Sequence, residues 1–537
     1  MSAHDRVPNE LWLEIFKLLP RDALKAVYST ARQFTTPSRA LLFTHLRRSS
    51  EWVNDPSAND VNHCLPTAAN VHRGPPVAAS DSSSGGYITL FYPYDCDVPL
   101  ALRDHLGLTG SDGVQSALDR LAFWSSDEIA PFVRECTVAP PRQGYAEPLP
   151  ILMTSFMDAL GKFTGLQKLS AHLSKLTQAG VAHLCRIPLL TEIVIEGCGI
   201  IPADTTIDTT NLELRTEKLV YRNGALFYDD RNLCLTIVHH GHLRELEVTD
   251  NGTGAASNTL AHGDAFPNVY KLTIAMNFST MTQNLLILSK FPAVCELQLS
   301  GWEFQVKYES SEEPTVNVSD VLPLLREYRG PCTPLHLFLS KSTLARLVID
   351  ACPLEDFIFQ FGGTYGHITA LDATVYDLNQ GALSTICSCL PALIDLRIKV
   401  LNQIEFEEDD FRDSNSVATD FFSTLANTLG LPSTLQRLAI SWDFIGFDSL
   451  DDYDEGPVAW PEAIPDFVTI RDTLKERCPP LRTLWFDWQD FMFKWRQLLD
   501  RDEMEQKNEI EAAEIEDLRA KFEDFWEGRL GVSNSIS

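Results

Sequence analysis

Apolar and polar positions along this chain fall into a six-residue register, apolar-x-x-apolar-x-apolar, that recurs thirteen times. It begins at Val133, Leu166, Leu190, Thr216, Leu243, Val269, Val294, Leu325, Leu344, Ile368, Leu393, Leu435 and Leu481. The steps between starts are 33, 24, 26, 27, 26, 25, 31, 19, 24, 25, 42 and 46 residues, and seven of the twelve lie between 24 and 27. Alternation at the fourth and sixth positions predicts a strand with one buried face. A step of this size leaves room for the crossover that a parallel neighbour requires. Helical return segments at 184–188, 285–292, 383–391 and 421–432 end in Pro188, Pro292, Pro391 and Pro432. Proline stops a helix because it lacks the next amide donor. Each unit then leaves an apolar edge that only a stacked neighbour covers, which predicts a repeat array with one continuous core.

In such a strand the third and fifth positions project from the sheet. The third positions Glu135, Lys168, Glu192, Lys218, Glu245, Lys271 and Glu296 alternate in sign. With parallel strands about 4.8 Å apart, this predicts an opposite-charge ladder. The fifth positions vary freely, as a recognition surface requires. Among them Glu247, Gln298, Arg329, Asp372, Arg397 and Trp485 are the candidate target-binding residues, Arg329 and Arg397 being without a regular cross-strand partner. After the last strand, six aromatics in the eleven residues 485–495 are expected to cap the exposed end of the core. Residues 501–529, with eleven acids and five bases, are expected to form a helix with Ile510, Ile515, Leu518, Phe522 and Trp526 as its apolar stripe.

The N-terminus carries a different signal. In VPNELWLEIFKLLP, residues 7–20, seven of the nine residues from Leu11 to Leu19 are apolar. That is too much of the circumference for a surface helix, so a partner must cover it. Val7-Pro8-x-Glu10-Leu11, Ile15, Leu19-Pro20, Asp22-Ala23-Leu24-x-x-Val27, Arg32-Gln33-Phe34 and Leu41-Leu42-Phe43-x-x-Leu46 resemble an F-box over about forty residues. The resemblance implies a three-helix module that binds the Skp adaptor of cullin–RING ubiquitin ligases. Pro8, Leu11, Ile15, Leu18, Leu19 and Pro20 would face the adaptor, with Leu24 and Val27 supporting. The repeat spacing falls in the leucine-rich-repeat range. Irregular arrays of this kind resemble the segments that follow F-boxes, particularly in mushroom-forming fungi.

The expected fold class is therefore α/β. An F-box-like domain spans 1–46, a polar linker or insertion 47–86, a leucine-rich-repeat-like solenoid with its parallel sheet on the concave face 87–498, and an acidic C-terminal helix 499–530. Acidic inserts at 405–413 and 448–456 stretch the last two repeats. The formal net charge of −30 argues against nucleic acid or anionic membrane as partner. Neither a membrane-spanning apolar run nor a signal-peptide layout is legible, and twelve scattered cysteines suit reduced thiols in cytoplasm or nucleus. No phosphate-cradling loop, nucleophile elbow or HExxH motif is present, so no catalytic residue, cofactor or metal is expected. The best metal candidate, His239-His240-Gly241-His242 with Cys234 upstream, lacks a second ligand cluster. The sequence reads first as a non-catalytic substrate receptor of an SCF-type ligase, joining the Skp adaptor and cullin to a target protein. Two further readings stand beside it: a repeat scaffold with no ligase role, and a metal-dependent hydrolase centred on the histidines.

Overall fold

The computed structural model describes residues 86–91, 118–119, 121–139, 150–172, 174–201, 212–223, 233–250, 255–275, 281–300, 317–376, 378–403, 421–422, 424–425, 430–445, 465–488, 491–497, 502–507 and 521–526. The eight expected adaptor-facing residues, Pro8 to Val27, and all of the expected linker but Gly86 lie outside them. Two compact units divide the chain, Met1–Phe266 and Pro267–Ser537.

The first unit runs β1 (Gly86–Phe91), β2 (Val133–Ala139), α1 (Pro150–Ala159), β3 (Lys168–His172), β4 (Lys175–Thr177), α2 (Gln178–Leu184), β5 (Glu192–Glu196), β6 (Gly199–Ile201), β7 (Lys218–Asn223), α3 (Leu233–Ile237), β8 (Glu245–Asp250) and α4 (Ala255–His262). Strands β1-β2-β3-β5-β7-β8 pair in that order, all parallel, and β4 pairs with β6 in a small separate sheet.

The second unit runs β9 (Lys271–Ala275), α5 (Met281–Leu288), β10 (Glu296–Ser300), β11 (Glu327–Gly330), β12 (Arg346–Pro353), α6 (Leu354–Phe359), β13 (Ala370–Tyr376), α7 (Gln380–Cys389), β14 (Asp395–Gln403), β15 (Arg437–Ile445), α8 (Phe467–Arg477), β16 (Thr483–Trp488), β17 (Phe491–Gln497), β18 (Asp502–Lys507) and α9 (Phe522–Trp526). Here β9 to β16 pair in sequence order and parallel, while β16-β17 and β17-β18 are antiparallel. This is a mixed α/β chain with long parallel sheet, consistent with a leucine-rich-repeat solenoid.

Each of the thirteen apolar registers yields a strand of a parallel sheet, and all but the first of these strands begin two residues after the register starts. Fourth and sixth positions turn inward: Leu246 and Val248 in β8, Leu396 and Ile398 in β14, Leu484 and Phe486 in β16 are all buried. Thr216 is the one polar residue at a register start, and it is 1% exposed, its hydroxyl donating to the Thr191 carbonyl at 2.6 Å. In most repeats the carbonyl of the second residue accepts two amides from the next repeat. Thr191 O takes Glu217 N at 2.9 Å and Lys218 N at 2.9 Å, and Ile394 O takes Gln436 N at 2.8 Å and Arg437 N at 3.0 Å. Helix starts are fixed by caps: Thr177 accepts from Gly180 N at 3.0 Å, and Asn379 from Ala382 N at 2.8 Å.

The expected charge ladder forms. Lys168 and Lys218 flank Glu192 at 3.0 and 3.3 Å, and Lys271 meets Glu296 at 3.6 Å. It breaks where Glu296 lies beside Glu327 and then resumes with Arg346 on Glu327 at 4.0 Å and Arg437 on Asp395.

Two expectations change. Residues 502–507, expected as helix, form β18, because the open edge of β17 offers a ladder of unpaired backbone groups. Of the expected C-terminal helix, α9 is the described part. The aromatic run does cap the core, but as a reversal: Phe467 of α8 stacks on Phe491 at 4.5 Å and on Phe493 at 5.4 Å.

Two predictions follow from this geometry. Lys218→Glu places an acid beside Glu192 and in register with Glu245. Cross-strand like charges cost about 0.2–1 kcal/mol each, so the melting temperature should fall by a few degrees, with less of a fall at high salt. Gly330 ends β11 at φ 146°, and an added Cβ would meet the Leu299 carbonyl at 2.7 Å. Gly330→Ala should destabilise by about 1–3 kcal/mol in denaturant titration. The same change at exposed Gly363, where a Cβ meets nothing within 4 Å, should leave the midpoint near wild type.

Candidate target-binding face

The third, fifth and seventh residues of successive strands form the sheet face opposite the repeat helices, and the chemistry of that face differs between the units. In the first unit it is a charged network. Arg222 of β7 donates through Nε to Glu247 of β8 at 2.6 Å and through Nη1 to Glu196 of β5 at 3.4 Å. Glu196 also meets His172 Nδ1 of β3 at 3.1 Å. The hydrogen bond from His172, reinforced by Arg222, holds the Glu196 carboxyl below its usual range despite partial burial. The candidate Glu247 is thus already paired with an arginine.

In the second unit Gln298 and Arg329 lie in register on β10 and β11; Gln298 is half-buried and Arg329 exposed. Asp372 and Arg397, also in register, bond at 3.3 Å. Arg397 therefore has the cross-strand partner it was expected to lack. Trp485 is corrected more strongly: it is 2% exposed. Phe522 and Phe525 of α9 lie on its ring at centroid distances of 4.9 and 5.3 Å. Together with Ala439 and Met492 they make a second small core on the face where the third and fifth positions emerge.

Cations surround this core. The Arg397 guanidinium lies 4.3 Å from the Phe522 centroid, Arg496 4.3 Å from Phe525, and Arg437 4.9 Å from Trp526. Arg437 bonds Asp395 through Nε and Nη2 while Nη1 donates to the Trp526 carbonyl at 2.8 Å. Asp487, 6% exposed, accepts from the Trp485 indole at 2.6 Å and fixes its orientation. Burial pushes the Arg496 guanidinium below its ordinary value, and Arg437 adds to the effect. Sequence reasoning missed Arg437, Arg496, Phe522 and Phe525 as members of one site. The available signals were a ladder followed past its break at Glu327 and the aromatic spacing 522, 525, 526.

The histidine cluster is organised without a ligand set. His239 Nε2 meets Glu213 at 3.0 Å, while its Nδ1 accepts from Gly241 N at 3.1 Å, so both ring nitrogens are used. His240 packs edge-on against Phe266 at 4.5 Å, and burial lowers its pKa. Cys234 is buried. Among the described residues no three His, Cys, Asp or Glu side chains converge to hold a metal, and no helix is long and apolar enough to cross a membrane. Buried thiols such as Cys198 and Cys387 are pushed up to about 12, far from a reactive thiolate.

The lowered Glu196 pKa fixes the sign of a pH effect. Its folded-state stabilisation is present above the usual carboxylate range, near pH 4.3, and is lost as pH falls through the lower folded value. Glu196→Gln should therefore melt below wild type at pH 7, and the difference should close on acidification below about pH 4. Thermal melts at both pH values check this. In comparison with known proteins, no family model and no curated protein matches the sequence. Among solved structures, the chain is similar to an internalin from Listeria monocytogenes, at 15% identity and a TM-score of 0.29. That similarity covers 63% of this chain and 90% of the internalin.

Proposed function

We propose that this chain is a non-catalytic substrate receptor of an SCF-type cullin–RING ubiquitin ligase. Its N-terminal helices would bind a Skp-type adaptor, and through it the cullin, while the strand face holds a target protein. Ubiquitin transfer belongs to other subunits, and the site of action is cytoplasm or nucleus. The observation that carries this reading is an F-box-like segment placed ahead of thirteen repeat strands whose fifth positions vary from repeat to repeat. An array of parallel strands presents side chains at fixed spacing over a long surface, which suits protein recognition. Within that row Arg329 is the exposed position for a target and Gln298 lies beside it, whereas Glu247, Asp372 and Arg397 are already in ion pairs.

The test is capture of the full-length chain by purified adaptor. Leu11→Asp with Leu19→Asp should weaken capture at least 100-fold, since each places a charge in an apolar interface. The melting transition of the repeats should not change. Capture that survives the double substitution would remove the ligase reading. Deleting residues 1–46 separates it from the scaffold reading: a receptor's repeats keep their melting transition, whereas a scaffold packed on those helices unfolds.

A further inference from the structure

Two cysteines of successive repeats lie side by side where β11 and β12 end. The register sets Gly330 of β11 opposite Ile349 of β12. Cys332 follows Gly330 by two residues and Cys352 follows Ile349 by three. A bulge takes up the extra residue: from Ile349 to Cys352 strand β12 advances three positions while β13, from Ala373 to Val375, advances two. Cys352 is thereby level with Cys332. Neighbouring parallel segments run about 4.8 Å apart, inside the Cα separation of about 4.4–6.8 Å that a disulfide spans. Both side chains are buried, so both turn inward. The turn carrying Cys332 is held in place, because the buried Tyr328 donates its hydroxyl to the Pro331 carbonyl at 2.6 Å.

The contacts of these thiols also differ from those of other buried cysteines. Cys198 donates to the Ala171 carbonyl at 3.3 Å and Cys478 to that of Leu435 at 3.3 Å. For Cys352 the Thr374 carbonyl is 4.0 Å away, and its S–H engages the Cys332 sulfur. That bond, with a second from Thr333, holds the Cys332 thiol below its ordinary value against burial, while the same bond and burial push Cys352 up. The pair divides into a thiolate and a thiol, as disulfide chemistry requires. Its cover is thin, since exposed Ala351 and Pro353 flank Cys352 in β12.

We propose that Cys332 and Cys352 are a site of reversible oxidation by hydroperoxides, and that their disulfide locks two successive repeats together. The Cys332 sulfur attacks one peroxide oxygen and the O–O bond breaks. The second oxygen takes up a proton and leaves as water, or as an alcohol from an organic hydroperoxide, and Cys332 becomes a sulfenic acid. The Cys352 sulfur then attacks the Cys332 sulfur, the S–O bond breaks, and the hydroxyl leaves as water with the Cys352 proton. Two electrons pass from the thiols to the peroxide, and a dithiol reductant returns them. Cys332 is the attacked thiol and Cys352 the resolving one. A small peroxide reaches the sulfur past the thin cover, whereas glutathione disulfide is too bulky to do so. The lock closes directly behind Arg329, the exposed residue of the strand face. The proposal rests on neither the adaptor nor a target, so it stands or falls apart from the ligase reading.

The experiment treats the reduced full-length chain with hydrogen peroxide, blocks the remaining thiols and maps cross-linked peptides by mass spectrometry. Trypsin separates the two cysteines, because Lys341 and Arg346 lie between them. The expected product joins Cys332 to Cys352, forms about tenfold faster in the native protein than in concentrated urea, and disappears with dithiothreitol. The oxidised chain should melt a few degrees above the reduced one, and Cys332→Ala or Cys352→Ala should each abolish that difference. In Cys352→Ala the sulfenic acid should persist on Cys332, where dimedone traps it; in Cys332→Ala, Cys352 should take up little dimedone. The alanine variants should keep the reduced protein's melting transition, since each removes one small side chain. Cross-links that leave Cys332 and Cys352 as free thiols, or that form equally fast in urea, would overturn the proposal. Dimedone on Cys352 in preference to Cys332, or a glutathione adduct on Cys332 in place of the disulfide, would overturn it too.

Discussion

Two parallel strands cannot be joined by a tight turn, and most of this structure follows from that constraint. Wherever neighbours in the long sheet pair in parallel, from β2 to β8 and again from β9 to β16, the chain between them must cross back before the second begins. The crossing fixes the repeat length and puts the helices on one side. It also leaves each repeat with an apolar edge that the next one covers. Relief comes at β17, which runs antiparallel to β16 and carries Phe491, Phe493 and Trp495 into the core. Beyond it, β18 reads DEMEQK, and a charged outermost strand discourages further pairing. The array ends by reversing direction and then turning polar.

Relative magnitudes separate what holds the array together from what sets its register. Burying a Leu or Ile is worth about 1.5–3 kcal/mol, and most repeats bury three apolar side chains in the register. An exposed ion pair is worth about 0–1 kcal/mol, so the ladder through Glu192 and Lys218 is the smaller contribution. Its value is directional: a strand slipped by one residue would turn its apolar set outward and separate the charges. The carbonyl that accepts two amides in most repeats adds the same discrimination in the backbone. Apolar burial therefore supplies the stability, and polar contacts hold the alignment.

Whatever repeats along the chain was legible; whatever closes over a distance was not. Strand positions followed from spacing because one rule applies thirteen times. Segment 502–507 was misread because Met504 is its only apolar residue; it becomes a strand through the partner β17 provides, a tertiary effect that local propensity does not contain. The direction in which Trp485 points was readable, since fifth positions project. Its burial was not, because the covering residues Phe522 and Phe525 come from a separate segment near the C-terminus. The Asp372–Arg397 and Asp395–Arg437 pairs obey the ladder rule, but the like-charged neighbours Glu296 and Glu327 interrupt it and conceal its return.

The two units use arginine in different ways, and the difference bears on what each surface can recognise. A guanidinium has an edge of donors that suits carboxylates and a flat face that suits aromatic rings. Arg222 commits its edge to Glu247 and Glu196 from neighbouring strands, so a further anion would have to separate pairs already made. Arg397 and Arg437 commit edges to Asp372 and Asp395 but present their faces to Phe522 and Trp526. Those carboxylates hold the guanidinium planes in place, and fixing a long side chain beforehand lowers the entropy lost when a ring stacks on it. Lysine in the same positions would keep the charge and lose the planar face. The cross-strand acids of the second unit therefore do more than balance charge: they orient the arginines toward the rings of α9.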